Sequence, residues 1–376
     1  MNSFVPFVSF VVQSMPRLIF DSHLDLAWSA VFFNRDLTLS VEAIRAREAS
    51  MSDERARGKN VLSLPELRRS GVAVCVATLL ARGGPAQKVL PTYKRTDLDY
   101  AAPSLAYAAA HGQLAYYRLL ESQGFIRMIR TRSELAAHWG TYSRDPAKTP
   151  LGIILSMEGT DPMVTPEQAR EWFGLGLRAA GLAHYGQGQH AYGTGVSGPL
   201  SSSGIELLRV MDELGMILDV THLCDESMSQ ALEYFDGRVL ASHHNCRALA
   251  PGDRQLADEQ IKQVIGRGGV MGAALDAWMI YPNWVRGQTK PDVVTLGNFA
   301  DHIDRVCQIA GNARHSALGT DLDGGFGNEQ TPGDLRVYGD LQKLAGILLS
   351  RGYSEGDVDG IFHGNWLRFF SEALPG

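Results

Sequence analysis

The sequence predicts an α/β fold, a (β/α)8 TIM barrel, and three observations support this. Short apolar runs rich in Val, Ile and Leu recur, and each precedes a loop and a stretch with helical spacing, as in parallel βα units. Eight such units occur in 376 residues, a length that single barrels often reach. No linker-like stretch divides the chain.

The eight predicted strands cover residues 17–26, 71–80, 151–159, 178–186, 215–222, 238–244, 268–275 and 315–325. The fourth and eighth are the least hydrophobic, and their place in the alternation with helices identifies them. Ser203 and Glu206 have capping-box spacing ahead of an apolar stripe, and Gly215 suits the end of that helix. Residues 186–202 and 278–296 are predicted as long loops at the barrel mouth.

We expect one folded domain after a short extension. Residues 1–14 contain the apolar run "FVPFVSFVV", which no Lys or Arg precedes and no clear cleavage site follows, so we interpret them as a disordered or weakly signal-like extension. Residues 15–376 form the predicted barrel domain. No other run approaches the length of a membrane span, and the C-terminus lacks the hydrophobic tail of a lipid-anchor signal, so no membrane anchor is expected.

Composition narrows the choice of partners and compartment. Acidic residues outnumber Lys and Arg by 41 to 35, and no basic cluster is present, so nucleic acid is not an expected partner. Four widely spaced cysteines without a C-x-x-C pair are typical of buried thiols in a reducing compartment, which predicts a cytoplasmic location. The signal-like N-terminus leaves export open. A homodimer is also open, because barrel flanks commonly pair.

Acidic and imidazole side chains interrupt the apolar runs at one end of the predicted strands. In "FDSHLDLAW" (20–28), Asp21, His23 and Asp25 alternate, so a strand would place all three on one face and in one small volume. Comparable residues end later strands: Glu158 on the third, His184 on the fourth, His222 on the fifth, His243 on the sixth, and Asp321 with Asp323 on the eighth. The carboxyl ends of barrel strands meet at one mouth, so we expect these side chains to converge.

Each of these residues also has an ordinary structural explanation. A lone imidazole such as His222 is more often a hydrogen-bonded core residue, Glu158 suits a helix cap, and Asp321 suits a turn. These explanations fail together, because buried carboxylates and imidazoles at six strand ends would each need a separate partner. A bound metal cluster satisfies them jointly. The sequence therefore predicts a barrel of the metal-dependent hydrolase type.

Imidazole and carboxylate ligands without a thiolate indicate zinc or a similar divalent ion, and the set is large enough for two ions. We predict two Zn²⁺ per chain. Glu158, alone on its strand, is expected to bridge them, with His23 and Asp25 on one ion and His222 and His243 on the other. A water held between such ions has its pKa lowered towards neutrality and becomes a hydroxide nucleophile for hydrolysis.

Seven stretches extend this pattern over nearly the whole chain. They are "DSHLDLAW" (21–28), "SMEG" (156–159), "LAHYGQGQHAYG" (182–193), "LGMILDVTHLCDESM" (214–228), "ASHHNCRALAPGDRQLADE" (241–259), "LGTDLDGG" (318–325) and "GNWLRFF" (364–370). In this order they resemble the membrane (renal) dipeptidase family, the M19 metallopeptidases with amidohydrolase-type barrels. The resemblance implies a binuclear zinc dipeptidase with the ligands His23, Asp25, Glu158, His222 and His243.

The resemblance also implies roles outside the ligand set. His184 would donate to the scissile carbonyl or its oxyanion, Arg254 would bind the substrate's C-terminal carboxylate, and Asp321 would carry a proton to the departing amine. Judged by its sequence neighbours alone, Arg254 also fits a solvated residue at a helix start. The implied substrate is a dipeptide with a free C-terminal carboxylate, and family members often accept a D-residue at that position.

The chain departs from the family pattern at three positions. Ser22 and Leu24 stand where the family commonly has Gly and Asn, and His244 stands where a small residue is usual. Strand alternation points His244 away from the face of His243, so we assign the ligand to His243 by its motif position.

Two other functions are open. A deaminase or lactonase on the same barrel is disfavoured by the H-x-D pair and by Arg254, which implies a substrate with a free carboxylate. A catalytically inactive barrel acting as a binding protein predicts a broken metal set, whereas every position of the set holds a competent residue.

The stretch "GTGVSG" (193–198) has G-x-G-x-x-G spacing but does not follow a clean strand, so we interpret it as a flexible loop.

Overall fold

The computed structural model describes residues 15–83 and 99–376. The predicted extension, residues 1–14, lies outside the described residues. One parallel sheet contains the strands β1 Ile19–Leu24, β2 Val72–Leu80, β3 Ile126–Met128, β4 Leu151–Glu158, β5 Leu177–Gly181, β6 Ile217–Asp219, β7 Val239–His244, β8 Met271–Ala273 and β9 Ser316–Leu318. Eight of them follow one path in the order β1-β2-β4-β5-β6-β7-β8-β9.

The predicted fold class is confirmed: the path is a nearly closed parallel barrel, and each predicted strand supplies one of its eight members. The short β3 was not predicted, because three residues are too few to show a period. It pairs only with β4 and lies off the barrel path. Strands β1, β2 and β4 are buried along their whole length, because the barrel interior is packed and helices cover the outside.

The outer layer consists of α1 Leu26–Phe32, α2 Val41–Glu48, α3 Leu64–Arg69, α4 Pro103–Ser122, α5 Arg132–Tyr142, α6 Gln168–Leu175, α7 Ser202–Leu214, α8 Asp225–Tyr234, α9 Asp258–Gly266, α10 Ala277–Ile280, α11 Leu296–Ala310, α12 Lys343–Ser350, α13 Glu355–Asp359 and α14 Asn365–Ala373. Within the described part of the chain, no helix combines the length and the apolar character needed to cross a bilayer.

The N-cap of helix α7 lies two residues before the predicted cap. Ser201, with an extended backbone, is the N-cap, and its Oγ accepts a hydrogen bond from Gly204 N at 2.9 Å. The capping-box prediction at Ser203 is therefore wrong. Gly215 ends the helix as predicted, in the left-handed conformation (φ 66°) that suits glycine.

Side-chain contacts join β1 to the far strands of the barrel. Ser22 Oγ donates to Ser242 O at 2.5 Å and lies 3.1 Å from Leu318 O. A Cβ at Gly319 would lie 1.8 Å from Ser242 O and 2.7 Å from Ser22 Oγ, so only glycine fits there. The missing side chain at Gly319 thus leaves the room that Ser22 occupies in this chain.

Candidate metal centre

The predicted site residues converge on a cavity of about 570 Å³ at the carboxyl ends of the barrel strands. Its lining includes acids, imidazoles, arginines and aromatic side chains: Asp25, Trp28, Leu80, Arg82, Glu158, His184, Tyr185, His222, Arg254, Asp276, Trp278, Met279, Trp284, Val285, Arg286, Asp321, Gly324 and Gly325. The predicted mouth loop over residues 278–296 supplies several of these. His23 and His243 are not among the lining residues and are almost fully buried.

Glu158, the last residue of β4, divides its two carboxylate oxygens between two groups of side chains. Its Oε1 lies 3.1 Å from His222 Nε2 and 3.3 Å from His243 Nε2. Its Oε2 lies 3.6 Å from His23 Nε2. One carboxylate oxygen therefore faces His222 and His243 and the other faces His23, the arrangement expected of a residue between two ions.

The second group extends to the two acids beside His23. His23 Nε2 lies 3.7 Å from Asp25 Oδ2 and 3.7 Å from Asp321 Oδ1. In the described residues, three sets of possible ligand atoms lie within 4.8 Å of one another: His23, Glu158 and His243; Glu158, His184 and His222; His23, Asp25 and Asp321. All five predicted ligands belong to these sets, and so do His184 and Asp321.

Two of these residues adopt a backbone conformation that is costly for a side chain other than glycine. His222 has φ 69° and Asp321 has φ 58°, both in the left-handed region. Such conformations persist where the surrounding structure fixes them, and they cluster at functional sites. The backbone thereby turns both side chains towards the cavity three residues after their strands end.

Hydroxyl groups orient several of the proposed ligands. Thr78 Oγ1 donates to Asp25 Oδ1. Thr194 Oγ1 lies 3.1 Å from His222 Nδ1 and donates to the carbonyl of the same residue. Ser242 Oγ lies 2.9 Å from His243 Nδ1. Because the hydroxyls occupy Nδ1, both imidazoles turn Nε2 towards Glu158, as metal-binding histidines do.

Burial and mutual repulsion control protonation in the centre. Burial, with help from the Asp25 charge, raises the pKa of Glu158 well above its usual range. Burial also raises the pKa of Asp321 to about 8. Burial would lower the pKa of His23, but the carboxylates of Glu158 and Asp25 raise it to about 10. Without a bound cation, these acids hold protons that a metal would displace.

The candidate metal centre contains polar atoms that no described residue satisfies. His23 Nε2 and Glu158 Oε2 are buried and have no hydrogen-bond partner among the described residues. Burial, together with positive neighbours such as Arg254, lowers the pKa values of His222 and His243 well below the ordinary value, which keeps both imidazoles neutral. Neutral imidazoles, carboxylates and orphaned buried atoms are the donor set that a divalent ion requires, so these residues fit a metal.

Arg254 lies inside the cavity and not on the surface. Only 4% of the residue is exposed, and its Nη2 donates to His243 O at 3.0 Å. Its Nε and Nη1 are buried without a hydrogen-bond partner in the described chain. A guanidinium with free donors beside the proposed metal ligands can hold a carboxylate.

Two acids that were expected near the centre have structural roles. Asp21 Oδ2 accepts hydrogen bonds from Thr320 Oγ1 at 2.5 Å and from Tyr338 OH at 2.6 Å, so it braces β1 against the chain after β9. Asp323 accepts from the backbone N–H of Val61 at 2.9 Å. The expectation that Asp21 shares the volume of His23 and Asp25 is therefore wrong.

His243, the predicted ligand, and its neighbour His244 have different surroundings. His244 Nδ1 faces Gly272 O at 3.2 Å, and His244 belongs to none of the sets of possible ligand atoms in the described chain.

The "GTGVSG" loop is held by backbone pairing: Thr194 N donates to His184 O at 3.0 Å, and Gly193 forms a bridge with Leu223. These bonds place Thr194 beside His222.

Sequence reasoning missed several residues of the cavity. Arg82 follows β2 by two residues, and Asp276 stands just before α10, so both lie at the same end of the barrel as the predicted residues. A polar residue directly after an apolar strand was the signal that could have found them. Thr194 gave no local signal, because nothing in a loop sequence shows which hydroxyl meets an imidazole.

The fold and the cluster together define a metal-dependent hydrolase-type barrel with a candidate metal centre at the carboxyl ends of its strands. The family model of the membrane dipeptidases (peptidase family M19) matches residues 7–374. The chain belongs to this family.

Solved structures share the fold over nearly the whole chain. The dipeptidase AC, an M19 metallopeptidase, has a TM-score of 0.73 at 19% identity and covers 96% of this chain and 99% of its own. A metallopeptidase from Rhodobacter sphaeroides, liganded with a phosphinate mimic of the dipeptide L-Ala-D-Ala, has a TM-score of 0.73 at 18% identity with the same coverage. At these identities the likeness shows the fold.

Curated relatives match shorter segments. An uncharacterized protein encoded in the pqqA 5′ region of Klebsiella pneumoniae is 29% identical over 187 residues, 47% of this chain and 66% of that protein. The dipeptidase aclJ of Aspergillus oryzae is 30% identical over 208 residues, 54% of this chain and 47% of that protein. The chain therefore spans about half to two thirds of the length of these relatives.

Proposed function

We propose that the protein is a metal-dependent dipeptidase that hydrolyses dipeptides with a free C-terminal carboxylate, including L-Xaa-D-Xaa. The observation that carries this proposal is the position of Arg254. A buried guanidinium, with two nitrogens that have no hydrogen-bond partner among the described residues, lines the same cavity as Glu158 and His222. A buried charge needs a partner, and the carboxylate of a short peptide meets this need beside the hydrolytic centre.

The proposed cofactor is two Zn²⁺ per chain. His23 and Asp25 would hold one ion, His222 and His243 the other, and Glu158 both. When bound, such ions polarise a carbonyl and lower the pKa of water. The division of the two Glu158 oxygens between the imidazoles supports this ligand set.

Two further residues are assigned to proton transfer and charge stabilisation. His184 Nε2 lies 3.6 Å from Glu158 Oε1 and lines the cavity, so its N–H donates to the scissile carbonyl oxygen as negative charge develops. The Asp321 carboxylate takes a proton from the attacking water and delivers it to the amine nitrogen of the leaving residue. Arg254 holds the carboxylate of that residue and fixes the register of the peptide bond.

Residues 15–376 are proposed to act as one metallopeptidase domain. A cytoplasmic location is supported by the four cysteines of the described chain, which are all buried and free. A homodimer stays a prediction, and analytical ultracentrifugation tests it.

The direct test is hydrolysis of a mixed panel of L-Xaa-L-Xaa and L-Xaa-D-Xaa dipeptides, with metal content measured on the same zinc-loaded sample. We expect cleavage with two ions per chain, and little cleavage of the same dipeptides as C-terminal amides. Turnover of a lactone or a nucleobase by the two-metal enzyme, with no dipeptide cleaved, would contradict the dipeptidase proposal and retain the metal centre. Less than one ion per chain would contradict the ligand set.

A further inference from the structure

Arg82 contacts the one imidazole of the cavity that is not in the proposed ligand set. Its Nη1 lies 3.4 Å from His184 Nδ1. Its Nε lies 2.6 Å from Asp99 Oδ1, so the guanidinium is held on one side by a carboxylate and meets the imidazole on the other. The arginine side chain is 15% exposed and the His184 side chain 10%, so the contact lies largely away from solvent.

The position of this contact is fixed by the loops that carry it. Asp161, three residues after Glu158, accepts hydrogen bonds from Gly83 N at 3.0 Å and from Gln189 N at 2.8 Å. It therefore joins the residue after Arg82 to the loop that follows His184. The carbonyl of Arg82 also accepts from Tyr100 N at 2.7 Å.

An arginine side chain has hydrogen-bond donors and no acceptor, so the imidazole nitrogen that it contacts must be the acceptor, which identifies the tautomer. Where Arg82 donates to Nδ1, that nitrogen carries a lone pair and the proton of a neutral imidazole is on Nε2. His222 has the opposite arrangement. Thr194 Oγ1 donates to a carbonyl, so the hydroxyl accepts from His222 Nδ1–H and leaves the Nε2 lone pair free.

The imidazoles of His222 and His184 therefore present different groups to Glu158 Oε1. His222 offers a lone pair, which binds a metal. His184 offers an N–H, which cannot bind a metal but can donate to an oxygen. The distances alone do not make this division, because Nε2 of His184 also lies within the range of possible metal ligands.

We propose that Arg82 is a positioning residue that fixes the proton of His184 on Nε2, which makes His184 a hydrogen-bond donor to the substrate and excludes it from metal binding. The tautomer itself follows from the contact, and its consequence for turnover rests on the proposed function. Arg82 does not touch the reacting atoms in this assignment.

The test uses the zinc-loaded full-length protein with ¹⁵N-labelled histidine. Two-dimensional NMR distinguishes a protonated from an unprotonated ring nitrogen, and His184→Gln assigns the signals by their loss. We expect unprotonated Nδ1 and protonated Nε2 for His184 in the wild type. In Arg82→Met the two tautomers mix or the signal shifts to Nδ1–H. Arg286→Met is the matched control: it also removes a positive charge from the cavity wall but is expected to leave the His184 signals unchanged.

Kinetics on the best dipeptide provide a second readout. Removing an oxyanion donor costs about 10²–10³ in kcat, so loss of its orienting partner is expected to lower kcat by roughly 10–100-fold with a smaller change in KM. In the His184→Gln background, Arg82→Met is expected to have little further effect. Since Arg82→Met also removes the contact of Arg82 with Asp99, Arg82→Lys is measured in parallel. Lysine keeps the positive charge and, like arginine, has donors and no acceptor, so it is expected to restore part of the fixed tautomer.

Nδ1–H on His184 in the wild type, or unchanged His184 signals in Arg82→Met, would overturn the proposal even if dipeptides are cleaved. Additive kinetic losses in the double variant would also overturn it. If no dipeptide is cleaved, the proposed function fails, while the NMR experiment still decides the tautomer.

Discussion

Replacing Glu158 with Gln is expected to have opposite effects on the metal-loaded and the metal-free protein. Glutamine keeps the shape and one carbonyl oxygen, but an amide NH₂ replaces the other oxygen and the negative charge is lost. In the wild type, Oε1 lies 3.1 Å from His222 Nε2 and Oε2 lies 3.6 Å from His23 Nε2. The single carbonyl oxygen of Gln can therefore act as a metal ligand on one side at most, either beside His222 or beside His23.

The magnitude follows from burial. Glu158 is 7% exposed, and breaking a buried charge pair by removing one partner costs about 3–5 kcal/mol. At about 1.4 kcal/mol per factor of ten, we expect metal affinity or dipeptide turnover to fall by roughly 10²–10³·⁵-fold.

In the metal-free protein, we expect Glu158→Gln to have the opposite effect, on stability. Burial and Asp25 raise the pKa of Glu158 above its unfolded value, so the folded wild type binds the extra proton and loses stability as the pH rises from about 4.5 through the raised pKa. Because Gln has no titrating carboxyl group, the variant does not lose stability in this way as the pH rises. We therefore expect chelator-treated Glu158→Gln to be at least as stable as the chelator-treated wild type at pH 8.

The assay is urea unfolding at pH 5 and pH 8, with and without zinc, combined with dipeptide turnover. Asp161→Asn is the matched control: this buried acid accepts from two backbone N–H groups and lies outside the sets of possible ligands in the described residues. It should lower stability in both states and keep the stabilisation by zinc. Full activity of Glu158→Gln, or zinc stabilisation equal to that of the wild type, would refute the bridging role.

Three other predictions concern the substrate, the metal and acid stability. Arg254→Met removes a charge-assisted pair worth about 1.5–3 kcal/mol, so kcat/KM for dipeptides should fall by roughly 10–150-fold, mostly through KM; an unchanged preference for dipeptides over their amides would contradict this role. Thr194→Val removes the partner of His222 Nδ1 and should weaken zinc binding by about 10–100-fold in a competition titration with a chromophoric chelator, and wild-type affinity would exclude an orienting role. Burial lowers the pKa of His190 to about 4, below its unfolded value, so its neutral form contributes stability above about pH 6.5 that is lost as the pH falls towards 4, about 3 kcal/mol in all. The urea midpoint of His190→Gln should therefore fall less over this range than that of the wild type, and equal falls would disprove the assignment.

The barrel and the convergence of the candidate site residues could be predicted from the sequence because both depend on local order. Apolar runs alternate with helical stretches, and a polar residue at the carboxyl end of a barrel strand lies near the mouth of the barrel. Glu158, His222 and His243 were located by this rule, and their proximity in the structure follows from it. Asp21 shows its limit, since alternation gave the face of the strand but not the depth of the residue in the barrel.

Hydrogen bonds between residues distant in the chain could not be predicted from the sequence. Thr194 and His222 are 28 residues apart, and Arg82 and His184 are 102 residues apart, so no local pattern pairs them. Arg254 has the sequence context of an exposed helix start and is nevertheless buried. The sequence by itself determined the barrel, the carboxylates and imidazoles of the candidate site and the edge at which they meet, because strand direction and residue type decide these. Only the tertiary structure decided which nitrogen of each imidazole faces Glu158, because that choice is made by donors and acceptors from other strands.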